Sequence, residues 1–185
     1  MSESLGFIFE RANSALITQD FEYAERLLTN ALKKHHNISP NDKKRIENLL
    51  ARIYGDEGDI ERSLAAYLQL YQRDSDNIEL MLRLGRIYRH IGRYEDALKI
   101  LEKAQALGGD TDEVLYSLAK TYKRMRNYDK AADYFIRAIE IKPDHAHAYD
   151  RLGNLYVLTG KTHKAIEIYK QGLLADPNHP YLNFH

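Results

Sequence analysis

The segment from Arg83 to Arg93 contains four arginines and one histidine within eleven residues. Arg83, Arg86 and Arg89 are spaced three apart, so a helix would place them along one face. Arginine side chains on a shared face can hold a carboxylate or a phosphate through paired N–H groups. The spacing therefore indicates a surface that could bind an anion, provided that the segment is helical.

The chain as a whole has no excess of positive charge. Its 185 residues include 27 Lys or Arg and 27 Asp or Glu; 29% are charged and 44% hydrophobic, which is typical of a globular protein. It has no cysteine, which excludes disulfides, thiolate nucleophiles and cysteine-bound zinc. No stretch approaches the roughly 20 apolar residues that cross a bilayer, and the acidic N-terminal segment does not resemble a secretory signal. We therefore predict a cytoplasmic location.

An internal repeat predicts the elements that position these side chains. Five columns of similar residues recur at intervals of 34, and one of them consists of Tyr54, Tyr88, Tyr122 and Tyr156. A period of this length is typical of stacked helical repeats. The columns share one register, which gives repeats at 44–77, 78–111, 112–145 and 146–179. Residues 5–38 keep the spacing of a second helix and are interpreted as a degenerate first repeat, so that residues 39–43 are an insertion.

Each column has a physical role in a pair of antiparallel helices. Small residues at the eighth and twentieth positions let the two helix backbones approach closely, and bulky residues fill the space beside them. Gly58, Gly92 and Gly160, with Arg126 in the equivalent place, stand where a left-handed residue ends the first helix. The Ser39–Pro40 pair predicts that the second repeat's helix begins before residue 44.

These columns resemble the tetratricopeptide repeat. The matching segments are Leu152-Gly153-x-x-Tyr156, Ala165-x-x-x-Tyr169 and Pro177. The tryptophan of that pattern is replaced by Glu47, Met81, Leu115 and Tyr149. The resemblance implies an all-α fold, a right-handed superhelical solenoid of antiparallel helix pairs with about five repeats in one domain over residues 1–185. Residues 180–185 are then a tail or the start of a further helix.

In proteins of this family the free face of the first helices lines a concave groove, and the resemblance implies the same placement here. In repeats two to five that face carries nine Lys or Arg against four Asp or Glu. We predict that it binds an acidic or phosphorylated segment of a partner protein. The predicted peptide-binding residues are Arg45, Asn48, Arg52, Arg83, Arg86, Arg89, Lys120, Lys123, Arg124, Arg151 and Asn154.

A plainer alternative is that the cations form a solvated helix face. They would then pair with neighbours such as Glu79, Glu113 and Asp56. The recurrence of arginine or lysine at one repeat position favours the groove interpretation; this row consists of Arg52, Arg86 and Lys120.

The carboxylate clamp of chaperone-binding members of the family is not reproduced. Its positions hold Leu82, Arg86, Ser117, His147 and Arg151, and only the last of these matches cleanly. Recognition of a chaperone tail is therefore not expected, although other residues could bind a carboxylate.

We predict no catalytic residue, no cofactor and no metal site. The sequence has no Gly-rich phosphate loop, no Gly-x-Ser-x-Gly elbow and no His-Glu-x-x-His motif. His145 and His147 lack the further ligands that zinc requires. The leading interpretation is a non-catalytic interaction adaptor. Two alternatives stay open, an assembly module that acts through the solenoid ends and the regulatory repeat region of a larger enzyme. Nucleic acid is disfavoured because the net charge is zero.

The last repeat predicts a further interaction. Ile166, Tyr169 and Leu173 on its second helix would leave an apolar patch without a polar capping helix. We therefore expect either self-association through this repeat or a longer native protein.

Overall fold

The computed structural model describes residues 4–35 and 37–177. These residues form ten α-helices and no strand, which confirms the all-α prediction. The helices are α1 (Leu5–Ile17), α2 (Phe21–Lys34), α3 (Pro40–Asp56), α4 (Ile60–Arg73), α5 (Ile78–His90), α6 (Tyr94–Gly108), α7 (Asp112–Arg124), α8 (Tyr128–Ile141), α9 (Ala146–Leu158) and α10 (Thr162–Ala175). Each odd-numbered helix packs against the helix that follows it, so the chain is a series of helix pairs.

The described residues divide into two compact units between Ser75 and Asp76. The first unit contains α1 to α4, with Leu28 and Ile46 in its core. The second contains α5 to α10, with a core that includes Phe135 and Leu152. The interpretation of residues 1–185 as one domain stays a prediction, and the predicted tail at 180–185 lies outside the described residues.

Short polar side chains begin three of the four helices that carry the predicted site. Ser39 Oγ accepts a hydrogen bond from the Asp42 backbone N–H at 3.0 Å, and Pro40 is the first residue of α3, as predicted. Asn77 and Thr111 accept the equivalent bonds at α5 and α7. These caps set where α5 and α7 begin.

A left-handed residue follows the first helix of each repeat. The φ angle is 85° at Gly58, 79° at Gly92, 72° at Gly160 and 61° at Arg126, as predicted. Gln19 takes the same conformation in the first repeat, with a φ of 60°. Because this region costs a residue with a Cβ about 1 to 2 kcal/mol, Arg126 and Gln19 hold local backbone strain.

Small residues let the paired helices touch, as the eighth and twentieth columns predict. A Cβ added at Gly153 on α9 would lie 2.2 Å from Cε1 of Tyr169 on α10. In the first unit, the Ser63 hydroxyl on α4 donates a hydrogen bond to the Ala51 carbonyl oxygen on α3 at 2.8 Å. The columns therefore mark positions of direct contact between helices.

The degenerate first repeat keeps the small-residue contact between its two helices but differs at the neighbouring position of the leucine column. Ala12 on α1 and Ala24 on α2 are both fully buried, so the small-residue contact is retained. Arg11 stands at the position of the leucine column, and its guanidinium lies over the rings of Phe7 and Tyr23 at 5.5 and 5.3 Å. The first helix of this repeat therefore differs from the others at Arg11 and keeps the contact with its partner helix.

Candidate functional site

Three helices of the second unit bring six of the predicted site residues to one cavity. Arg86 and Arg89 belong to α5, Lys120, Lys123 and Arg124 to α7, and Arg151 to α9. The cavity has a volume of about 670 Å³, and we call it the basic pocket. Arg126, His90, Tyr94, Tyr128 and Leu158 complete its lining. Because α5 packs directly against α7, residues near the C-terminal ends of these helices face a shared space.

The positive charge in the basic pocket is largely uncompensated. Its lining includes seven Lys or Arg and, within the part of the chain that the structure describes, no Asp or Glu. Arg151 forms an ion pair with Asp150, at 3.6 Å between Nε and Oδ2. Among the described residues, the other six cations form no ion pair. Exposed Lys and Arg side chains are usually well hydrated. The less exposed cations Arg89 and Lys120 therefore matter most for which ligand this surface can bind.

Arg89 is the most buried of these cations. Only 9% of it is exposed, and its Nη1 atom is buried with no hydrogen-bond partner among the described residues. Burial lowers the pKa of Arg89 to about 10, and the neighbouring charges of Arg124 and Arg86 act in the same direction. A buried polar group without a partner is unfavourable, so the Arg89 side chain is prepared to receive an acceptor.

Lys120 lies beside Arg89 and is also removed from water. Burial, followed by the charges of Arg89, Arg151 and Arg86, lowers the pKa of Lys120 to about 8. The Lys120 ammonium lies 4.8 Å from the centre of the Tyr116 ring, a contact that favours its charged form. An anion placed among these residues would favour the charged form much more strongly.

A second cavity of about 270 Å³ shares Arg86, Arg89 and Lys120 with the basic pocket. Its other lining residues are Glu79, Leu82, Arg83, Glu113, Tyr116 and Ser117, so its lining combines acidic, basic and apolar side chains. We call it the mixed pocket. Arg83 forms an ion pair with Glu79, at 2.7 Å between Nη2 and Oε1. Arg83 therefore fits the alternative of a solvated, internally paired helix face. Arg86 is exposed but forms no ion pair with a described residue, and Arg89 is buried.

The predicted site residues of the first unit have partners within that unit. The guanidinium of Arg45 lies 4.0 Å from the centre of the Phe9 ring. Asn48 donates a hydrogen bond to the Lys44 carbonyl oxygen at 2.9 Å. Arg52 lies 3.9 Å from Asp56.

In the second unit, the amide of Asn154 donates to Asp150 Oδ1 at 2.7 Å and to the Asp150 carbonyl oxygen at 2.8 Å. Asn154 lines neither cavity. Its predicted role in peptide binding stays a prediction.

Five residues that line the basic pocket are not among the predicted site residues, and three of them lie outside the first helices of the repeats. Arg126 belongs to the turn after α7, and Tyr94 and Tyr128 are the first residues of α6 and α8. Both tyrosines occupy the seventeenth position of their repeats, so a search for columns outside the first helices would have found them. Arg126 replaces the glycine of three other repeats, which puts a cation at the rim of the pocket on strained backbone.

Replacing Arg126 by glycine should stabilise the chain and weaken anion binding. Glycine removes the left-handed strain, partly offset by its greater freedom in the unfolded chain, so we expect a gain of about 0.5 to 1 kcal/mol in the free energy of unfolding. Gln19→Gly is the matched control, because it relieves the same strain in the first unit. Denaturant unfolding and peptide binding check both effects. Weaker binding in the control as well, or loss of stability in Arg126→Gly, would contradict this role.

Among residues 4–35 and 37–177, no helix is long and apolar enough to cross a membrane. Within the same residues, no group of three or more His, Asp or Glu side chains is arranged to hold a metal ion. His145 lies 4.0 Å from Asp112, and its ring packs 4.8 Å from that of Tyr116.

Family models described as tetratricopeptide repeat match most of the second unit and part of the first. One model matches residues 76–144 and 110–175, and another matches residues 48–77. No curated protein matches the sequence.

Many solved structures are similar in fold. MamA from Desulfovibrio magneticus RS-1, from residue 41 to its end, has a TM-score of 0.75 and 17% identity, over 97% of this chain and 99% of that one. TTC0263 of Thermus thermophilus, a thermophilic TPR protein, has a TM-score of 0.75 and 19% identity, over 97% and 95%. YrrB, described as a TPR protein with an unusual peptide-binding site, has a TM-score of 0.65 and 18% identity, over 95% and 88%.

Proposed function

The chain belongs to the tetratricopeptide repeat family, and from this premise we propose that it is a non-catalytic adaptor whose basic pocket binds an acidic or phosphorylated segment of a partner protein. The observation that carries the proposal is Arg89, a buried arginine with an unpartnered Nη1 atom among cations that, within the described residues, mostly lack ion pairs. Such a cluster is unfavourable when empty, and an anionic ligand would neutralise it. The predicted cytoplasmic location is part of the proposal.

Surfaces beside the basic pocket suit an extended segment. Leu158 at its edge is 58% exposed, and Val157 next to it is 56% exposed, so an apolar side chain of the ligand could pack there. The mixed pocket offers Leu82 and Tyr116 on the other flank. The fold similarity to YrrB, whose description includes a peptide-binding site, supports a peptide as the ligand.

The expected affinity is moderate. Each exposed ion pair contributes about 0.2 to 1 kcal/mol, and a contact with a partly buried arginine contributes more. Ordering a flexible peptide offsets part of this gain, so we expect micromolar rather than nanomolar binding. Because ions screen charges, with a screening length of about 10 Å at 0.1 M and about 3 Å at 1 M, binding should weaken strongly as salt rises.

Capture from degenerate peptide libraries tests the proposal. One library carries Asp or Glu at three central positions, and a second carries Asn or Gln there. The wild-type chain should retain the acidic library preferentially. Reversal of Arg86 and Lys120 to glutamate should reduce that retention about tenfold to a hundredfold, because two attractive contacts become repulsive.

Lys99→Glu is the matched control, since Lys99 is exposed on α6 and lines neither cavity. This variant also replaces a cation by glutamate, and it should retain the acidic library as well as the wild type does. Equal capture of both libraries by the wild-type chain, or an equal loss in the control, would refute the proposed site.

Self-association is a second candidate function. Ile166 and Leu174 on α10 are 47% and 83% exposed, which favours an interface at the last repeat. Tyr169, predicted to belong to the exposed patch, is instead buried against Gly153 and is only 6% exposed. Sedimentation equilibrium of the wild type and of Ile166→Glu would distinguish this candidate, because a peptide adaptor needs no dimer.

A further inference from the structure

The composition of the basic pocket narrows the chemistry of its ligand. Among the described residues, its seven Lys or Arg form one ion pair, between Arg151 and Asp150, while Glu79 and Glu113 line the adjoining mixed pocket. A single carboxylate of a ligand brings one negative charge and two acceptor oxygens. A phosphorylated side chain brings a charge of about −1.5 to −2 and three strong acceptor oxygens. The second group matches the unneutralised cations better.

The arrangement of the cations points in the same direction. Arg89 is buried, Lys120 is partly buried, and Arg86 and Arg124 are exposed. These four cations and Arg151 all line the same cavity, so one ligand group placed in it would face several of them. The planar guanidinium of Arg89, whose buried Nη1 atom has no hydrogen-bond partner among the described residues, suits contact with a phosphate oxygen. Arg86 and Arg124 could then contact the remaining phosphate oxygens from the rim.

The flanking surfaces favour a phosphorylated polypeptide over a small phosphate compound. The cavity of about 670 Å³ is much larger than one phosphoryl group and continues into the mixed pocket. Exposed Leu158 lies on one side, and Leu82 with Tyr116 on the other. These apolar positions have no role for a free phosphate, whereas side chains on either side of a phosphorylated residue would cover them.

We propose that the basic pocket binds a phosphorylated side chain of a partner protein, with Arg89 and Lys120 as its anchors and Arg86, Arg124 and Arg151 around them. This inference rests on the proposed function. It adds that the pocket selects phosphorylation over acidity alone, so binding of the partner would be switched on by a kinase-type reaction and off by a phosphatase-type reaction.

The test uses three degenerate peptide libraries that differ only at the central residue, which is phosphoserine, glutamate or serine. We expect the full chain to capture the phosphoserine library at least about tenfold better than the glutamate library. Capture should also improve between pH 5.5 and 7, because the second phosphate pKa is about 6, whereas capture of the glutamate library should not improve in this range.

Two variants locate the effect. Arg89→Lys keeps the charge and removes the planar guanidinium, so it should lower the preference for phosphoserine over glutamate. If circular dichroism shows that Arg89→Lys does not fold, Arg124→Gln takes its place. Arg124 is exposed, and its replacement should also lower the preference for phosphoserine over glutamate. Lys99→Glu is again the control and should retain the wild-type preference.

The possible outcomes separate this inference from the proposed function. Equal capture of the phosphoserine and glutamate libraries, both above serine, would overturn the inference and leave the adaptor function in place. Capture of all three libraries at one level would overturn both. Inorganic phosphate and pyrophosphate provide the remaining arm. If either binds as tightly as the selected phosphopeptide, the ligand is a free phosphate compound, and the proposal that it is a segment of a protein is wrong.

Discussion

Replacing Gly153 by leucine should lower the free energy of unfolding by about 1 to 3 kcal/mol, the usual range for forcing extra atoms into a packed core. The Cβ alone would lie 2.2 Å from Cε1 and 2.6 Å from Cζ of Tyr169, well inside van der Waals contact. The Tyr169 ring is buried and cannot move aside freely. The helices α9 and α10 would therefore have to separate. Denaturant-induced unfolding followed by circular dichroism measures the change.

Gly6→Ala is the matched control for this prediction. Gly6 also lies in a helix, but an added Cβ there meets no atom within 4 Å. Alanine favours helices over glycine by about 1 kcal/mol, so the control should be neutral or slightly stabilising. If Gly153→Leu were as stable as the wild type, the contact between the small-residue column and the bulky column would be wrong.

Replacing both Arg89 and Lys120 by methionine should stabilise the free chain while it abolishes anion binding. Arg89 is buried and Lys120 is partly buried, and even the exchange of a buried ion pair for apolar side chains is often neutral or stabilising by about 1 to 4 kcal/mol. Because Lys120 keeps partial contact with solvent, we expect a gain near the lower end, about 1 to 2 kcal/mol at pH 7. Chemical unfolding at pH 7 measures it.

The pH dependence of this difference follows from the lowered pKa of Lys120. Below pH 8 the lysine is charged in both the folded and unfolded chain, so the wild type carries the full penalty of burying that charge. Between about pH 8 and the ordinary value of 10.5, the unfolded chain binds more protons than the folded chain, and the stability contributed by this group rises with pH. The difference in the free energy of unfolding between the methionine variant and the wild type should therefore decrease from pH 7 to pH 10. A constant difference would mean that Lys120 is not desolvated.

Much of the fold could be predicted from the period of 34 alone. The columns place small residues where helices touch and left-handed residues where the first helix of each repeat ends, and both properties depend on local geometry. Gln19 was the exception, because its side chain gives no sign that its backbone is left-handed. Glycine is the usual signal for this conformation, and the first repeat has Gln19 at that turn position instead.

The site was less predictable, because burial and pairing depend on tertiary contacts. Arg83 and Arg86 look alike in sequence, yet Arg83 pairs with Glu79, and Arg86 forms no ion pair with any described residue. The depth of Arg89 arises where α5 packs on α7, a contact that periodicity within one helix does not describe. Arg126 was predicted as a turn residue and not as a site residue, because it lies after α7 and outside the first helices that the family resemblance assigns to the groove.

Nuclear magnetic resonance mapping shows whether the cations of α5, α7 and α9 that line the basic pocket form the binding site. The peptide selected from the library is titrated into the isotope-labelled chain, and backbone amide and arginine Nε–H signals are followed. We expect the largest shifts around Arg86, Arg89, Lys120 and Arg151, with a concerted change at the buried Arg89 side chain. Shifts confined to α10 around Ile166 and Leu174, with the Arg89 signal unmoved, would contradict a binding site in the basic pocket.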